Sequence, residues 1–270
     1  MNIDNLKTIV VYGGTSEIAI ACLNEWQKKH NHKVILVGRS LNRLESVASD
    51  LRVRYQNSII ETIVLDFNDL DAIEKMNAKL FSSNIVNIAL VSHGELSDQL
   101  LSQQDITYTK DQLMTNGLST CLISESLIKN LLKAGEGKLV VIGSVAGDRA
   151  RKKNYIYGSA KGLVEMYARG LQHRLWNSNI KVSLVKPGPT KTNMTSKLQE
   201  SAKFANVNKV AKTIVKGVNR GKKIIYAPRK WMLIMLIIRL IPNFIFKALL
   251  KKYLASSKKL FLRYIKPLIL

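Results

Sequence analysis

Residues 138–161 read KLVVIGSVAGDRARKKNYIYGSAK, and this stretch decides the fold. Lys138 to Ile142 is a short apolar, β-branched run that reads as a buried strand, and it ends in Gly143-Ser144. A basic loop follows, then Tyr157, with Lys161 four residues later at the start of a helical pattern. That spacing puts the two side chains on one helix face. An ammonium beside a phenol favours the phenolate, so the pair predicts a Tyr157 pKa below its usual value of about 10. A Tyr of this kind can give a proton to a carbonyl oxygen near neutral pH. Ser144, at the strand end, is placed to hydrogen-bond the same oxygen. This is the chemistry of a ketone/alcohol redox centre. Tyr226 and Lys230 share the spacing, but Pro228 between them argues against one continuous helical face.

The 270 residues suit one α/β domain with an added tail, and 46% apolar residues is ordinary for a globular chain. Cys22 and Cys121 fall in apolar helical patterns without metal-ligand spacing. They read as reduced, buried thiols of a cytosolic protein, and no metal site is expected. MNIDNLKTIVVYGG runs straight into a strand with no basic segment ahead of an apolar core, so no signal peptide is expected. The net charge of +23 is unevenly spread: residues 201–270 hold 17 Lys and Arg and no acidic residue. A tail so charged points to an anionic surface, membrane or nucleic acid.

In chain order, strands are expected over 7–12, 33–37, 59–65, 85–91, 138–142, 181–186 and 224–227. Helices read over 18–29, 41–55, 111–132 and 163–176. Alternating strands and helices predict a doubly wound parallel sheet of about seven strands, Rossmann-like, with its site at the strand carboxyl ends. Gly13-Gly14-Thr15-Ser16-Glu17-Ile18 turns the first strand into a helix, where backbone N–H groups and the positive helix end can meet a pyrophosphate. Many α/β domains carry a glycine pair there for steric reasons alone. The second strand ends in Gly38-Arg39-Ser40, with no acid to hold a ribose 2′-hydroxyl and an Arg suited to a 2′-phosphate, which favours NADPH over NADH. Arg43 lies in range as well. His93, in Ser92-His93-Gly94, ends the fourth strand as either a structural or a cofactor-facing residue.

Ser144, the Tyr157/Lys161 pair, Gly158-Ser159-Ala160 between them and the N-terminal glycine turn together resemble the short-chain dehydrogenase/reductase family. The resemblance makes Asn116, in Thr115-Asn116-Gly117, the residue that breaks a helix and supports a proton relay to Lys161. It places Asp66 near the adenine, although a capping role fits that residue equally. It makes Gly94 part of the cofactor site and, in Pro187-Gly188-Pro189-Thr190-Lys191-Thr192, makes Thr192 the ligand of the nicotinamide carboxamide. The match is imperfect at the glycine turn, where Glu17 and Ala19 replace the later two glycines. A carboxylate there repels a pyrophosphate unless it points away.

Residues 231–241, WMLIMLIIRLI, are too few to span a bilayer, which needs about 20. Over 243–266, Lys251, Lys252, Lys258, Lys259 and Arg263 fall on one helical arc and Leu249, Leu250, Leu254 and Phe261 on the other. A basic arc opposite an apolar one suits an anionic membrane interface; the plainer alternative is a helix packed on the body or on a partner subunit. Large aliphatic surfaces without Gly/Arg/aromatic interleaving argue against nucleic acid. The expected division is thus a dinucleotide-binding domain over 1–228 and a basic, apolar helical extension over 229–270.

Residues 13–18, Ala146-Gly147-Asp148-Arg149-Ala150-Arg151, and Tyr226-Ala227-Pro228 before an apolar tail are similar to one branch of the family, the decaprenylphosphoryl-2-keto-ribose reductases. The branch implies reduction of a polyprenylphosphoryl 2-keto-pentose made by a flavin-dependent oxidase, in cell-envelope synthesis. It also implies a peripheral place on the inner face of the plasma membrane, with Arg149, Arg151, Lys152 and Lys153 clamping the lipid phosphate, against a plain solvated loop as the alternative. A homo-oligomer is expected. The rivals are a reductase of another keto-lipid, such as a 3-oxoacyl chain, and a non-catalytic membrane adaptor.

Overall fold

The structure, a computed structural model, describes residues 6–198, 204–242 and 244–246. Seven parallel strands form one sheet: β1 (Lys7–Tyr12), β2 (His32–Gly38), β3 (Ile59–Val64), β4 (Val86–Val91), β5 (Gly137–Ile142), β6 (Ile180–Pro187) and β7 (Ile224–Ala227). Their order, β3-β2-β1-β4-β5-β6-β7, reverses direction between β1 and β4, so the crevice beyond their carboxyl ends is where such a sheet binds ligands. The expected seven-stranded, doubly wound sheet is therefore present.

The strands alternate between two cores, as a period of two requires. Ile9 and Val11 of β1 face one side, where α1 (Glu17–Gln27), α2 (Leu41–Arg54) and α8 (Val207–Asn219) pack. Val10 and Tyr12 face the other, covered by α3 (Leu70–Ser83), α6 (Ser119–Ala134) and α7 (Tyr155–Arg174). Helix starts are set by short polar side chains: Asp69 caps α3 at Ala72 N (2.9 Å) and Asn206 caps α8 at Asn208 N (2.9 Å). Two short helices, α4 (Gln99–Gln104) and α5 (Ile106–Leu113), follow β4. Helices α3, α4 and α8 have no counterpart among the expected elements. For α8 the signal is there, since Val210, Ala211, Ile214, Val215 and Val218 repeat with helical spacing and are buried together.

The apolar run after Pro228 is a helix, α9 (Lys230–Leu240). Trp231, Met235 and Ile238 pack on Val145 and Tyr226. Its opposite face is apolar too, and open: Leu233 is 62% exposed, Ile237 54% and Leu240 73%. Past Phe246, the expected amphipathic segment lies outside the described residues. Among the described residues no helix is long and apolar enough to cross a membrane, and no His/Cys/Asp/Glu group could hold a metal ion.

Candidate active site

A cavity of about 350 Å³ opens beyond the carboxyl ends of the central strands. It brings together Asn116, Ser144, Tyr157 and Lys161, which come from three separate segments. Ser144 ends β5 in extended backbone, and its hydroxyl accepts from Ala146 N at 3.1 Å. The same side chain is hydrogen-bonded to Tyr157, in the first turn of α7. Lys161, one turn on and buried, holds Nζ 5.8 Å from the Tyr157 ring centroid and donates to Ile142 O at 3.4 Å. The decoy pair is separated, Tyr226 lying on β7 and Lys230 starting α9.

Helix 111–132 is not continuous. It breaks at Asn116-Gly117, where a π-helical turn, Met114–Leu118, joins α5 to α6. The turn buries Asn116 completely; its Oδ1 accepts from Glu95 N at 2.9 Å and its Nδ2 donates to Gln112 Oε1 at 3.2 Å. Such bulges recur at functional sites because they re-aim one side chain.

The electrostatics correct one expectation. Burial pushes the Tyr157 pKa above, not below, its ordinary value, and the Ser144 hydrogen bond and the Arg151 charge pull it only partway back. Burial also draws Lys161 down to about 8. A phenol taken out of water resists ionising as strongly as an ammonium resists charging, so the spacing alone misjudged the balance. Tyr157 thus keeps its proton across neutral pH, while Lys161 keeps its charge only below about 8. For the free enzyme, kcat/KM for ketone reduction is expected to fall as pH rises through about 8. A pH–rate profile checks this, and Lys161→Met should remove that limb from the residual activity.

The proposed dinucleotide site fits the residues present. Gly13 has φ +82°, and a Cβ there would sit 2.6 Å from His93 N, so only glycine lets the β1 turn close against the end of β4. Gly94 has φ +147°, and a Cβ would meet Asn116 Oδ1 at 2.8 Å. Gly13 N and Gly14 N both donate to Val37 O at 2.9 Å, which shapes the turn that Thr15 and Ser16 complete. Ser16 caps α1, bonds Ser92 Oγ at 2.8 Å and lines the cavity with Ile18. Glu17 points away: its Oε1 accepts from Asn193 N at 2.6 Å, tying the turn to the segment after β6. The replaced glycine therefore puts no carboxylate in the phosphate path. His93 bonds Ser119 Oγ at 2.8 Å and packs on Phe67, and burial lowers its pKa to about 3. It is neutral, and its buried Nδ1 has no partner among the described residues, a polar atom left for a bound ligand.

Pro187 at the end of β6, and Gly188 and Thr192 in the segment after it, line the cavity. Thr192 N donates to Thr195 Oγ1 at 3.2 Å. A Cβ on Gly188 would lie 1.9 Å from Trp231 Nε1, so α9 is seated directly on this turn. Gly188→Ala is expected to cost about 1–3 kcal/mol by overpacking, read as a lowered urea midpoint. Arg39 stands exposed at the end of β2. Asp66 accepts from Asn68 N at 3.0 Å in the turn after β3.

The four basic loop residues divide. Arg151 and Lys153 line the cavity. Arg149 does not: it donates to the carbonyl oxygens of Ile238 and Ile241 and lies 4.2 Å from the Phe246 ring centroid, closing the C-terminal end of α9. Lys152 is exposed outside the cavity. Apolar walls come from Leu96, Met194 and Phe204, which carry no sequence signal. Behind the loop, Lys186 at the end of β6 is wholly buried between Asp148 and Glu165 (2.6 Å), and Tyr226 donates to Asp148 at 3.2 Å.

A reversed-order parallel sheet, a glycine turn at its switch point and a Ser/Tyr/Lys set above it define an NAD(P)-dependent oxidoreductase acting between carbonyl and alcohol. The chain belongs to the short chain dehydrogenase family, whose model matches residues 7–203. It is 26% identical over 240 residues to an uncharacterized oxidoreductase of Mycobacterium tuberculosis, covering 88% of this chain and 95% of that one. A Streptomyces coelicolor oxidoreductase, also uncharacterized, is 26% identical over 246 residues, 90% and 96% of the two chains. The fold matches a bulky-bulky ketone specific alcohol dehydrogenase from Comamonas testosteroni with TM-score 0.73, at 21% identity and 95% and 96% coverage. It also matches actinorhodin polyketide ketoreductase with NADPH, with TM-score 0.73, at 18% identity and 84% and 97% coverage.

Proposed function

We propose that this protein uses NADPH to reduce the ketone of a polyprenylphosphoryl 2-keto-pentose at an anionic membrane surface. The observation that carries the reduction is the convergence of Ser144, Tyr157 and Lys161 in one cavity. Ser144 donates to the carbonyl oxygen and fixes its place. Tyr157, kept protonated by burial, delivers its proton to that oxygen as negative charge develops there. The Lys161 ammonium stabilises the phenolate left behind, and Asn116 holds the relay that reprotonates it. Bound NADPH supplies the hydride for the carbonyl carbon.

NADPH is favoured because β2 ends in Arg39 with no acid beside it. Arg39→Ala is expected to weaken NADPH binding about tenfold or more while leaving NADH within about twofold, since a charge-assisted hydrogen bond contributes about 1.5–3 kcal/mol. Fluorescence titration of both cofactors measures this. The lipid reading draws on the branch resemblance, the apolar cavity walls and the open apolar face of α9, which a basic stretch follows in the sequence. A flavin-dependent oxidase would supply the ketone.

The test presents polyprenylphosphoryl-ribose with that oxidase, and separately a 3-oxoacyl substrate, to the protein on anionic liposomes. NADPH consumption that needs the oxidase and yields the 2′-epimer supports the sugar. Consumption with the 3-oxoacyl chain alone keeps the chemistry and moves the substrate to other keto-lipids.

A further inference from the structure

Among the described residues three cations line the cavity, Arg151, Lys153 and Lys161, and no Asp or Glu does. Lys161 is committed to the Tyr157 side. Arg151 is not committed: among the described residues its guanidinium makes no hydrogen bond or ion pair. The acid nearest in the loop, Asp148, is already taken by Lys186 and Tyr226. A guanidinium drawn partly out of water with its forked donors unused is costly to hold, and an oxyanion is the group that satisfies it. Its location is specific, because it lines the same cavity as Tyr157 and its charge pulls the Tyr157 pKa down. An anion held there sits beside the reacting carbonyl and apart from the glycine turn that receives the dinucleotide.

We propose that Arg151, with Lys153 beside it, forms an oxyanion subsite that selects ketones carrying a phosphate ester a short distance from the carbonyl. This rests on reading the cavity as a ketone-reduction site. It explains the division of the basic loop, in which Arg149 secures α9 while Arg151 faces substrate. The apolar walls at Leu96, Met194 and Phe204 leave room for the ester's chain.

The test is binding to the full-length protein saturated with NADP+, which blocks the cofactor's own phosphate sites. Decyl phosphate, decanol and inorganic phosphate are titrated by calorimetry. Decyl phosphate is expected to bind at least tenfold more tightly than decanol. Arg151→Gln should bring the two within about twofold, Arg151→Lys should keep part of the preference, and NADP+ affinity should hold for both variants. Inorganic phosphate binding as tightly as decyl phosphate supports the subsite and assigns it to free phosphate esters; weaker binding supports it and assigns it to lipid phosphates. Equal binding of decyl phosphate and decanol by the native protein overturns the subsite, as does a preference that survives Arg151→Gln. Reduction of ketones without regard to their charge also overturns the subsite while sparing ketone reduction. Arg151-dependent phosphate binding without turnover of any ketone supports the subsite and removes the reduction.

Discussion

Tyr157→Phe is expected to lower kcat/KM for ketone reduction by about 10²–10⁴-fold, the usual contribution of a positioned general acid. The substitution removes one oxygen and leaves the ring that Lys161 faces at 5.8 Å. Cofactor affinity should hold within about twofold, because the glycine turn, Arg39 and Gly188 are untouched. Tyr157 is hydrogen-bonded to Ser144 at the mouth of β5, and one helical turn separates it from Lys161. Steady-state kinetics with a cofactor titration separate the two effects. Unchanged turnover would assign the proton to another group.

Lys186→Met is expected to destabilise the fold by about 3–5 kcal/mol, the cost of breaking a buried ion pair from one side. Lys186 has no exposed surface and holds both Asp148 and Glu165. Burial pushes both carboxylates up, but the Lys186 hydrogen bond and charge, with Arg169, hold Glu165 below its ordinary range while Asp148 stays above its own. Without the ammonium, burial outweighs what Tyr226 and Arg169 still supply and raises both folded pKa values above the unfolded ones. A raised carboxyl pKa favours folding at low pH and disfavours it at high pH, so the deficit should be larger at pH 8 than at pH 5. Urea unfolding of both proteins at the two pH values measures it. The loop from Ser144 to Arg151 is anchored through Asp148, so activity should fall along with stability.

Much of this fold was legible because buried parallel strands are continuous apolar runs: β1 and β7 match their expected bounds, and the others differ by a residue or so at an end. The Asn116-Gly117 pair marked a broken helix because neither residue favours a helix interior, and the break is a π turn. The convergence of Ser144, Tyr157 and Lys161 was readable because two of them share a helix and the third ends the adjacent strand. Less visible was anything that depends on three-dimensional neighbours. The sign of the Tyr157 shift is set by burial, which spacing does not report. The roles of Arg149 and Arg151, two residues apart in one basic loop, separate only once α9 is placed against that loop. Lys186 looked like the end of a strand, and its two acids lie 38 and 21 residues away in sequence.

The most direct test of the central claim is isotope transfer from NADPH deuterated at the nicotinamide C4. The wild-type protein on anionic liposomes is given a phosphorylated 2-keto-pentose lipid. With both C4 hydrogens labelled, one deuterium is expected on the new carbinol carbon for each NADPH consumed, and Tyr157→Phe should lose that label. NADPH that binds tightly yet leaves every ketone unlabelled and unreduced would contradict it, and would make the cavity a dinucleotide-binding adaptor instead of a reductase.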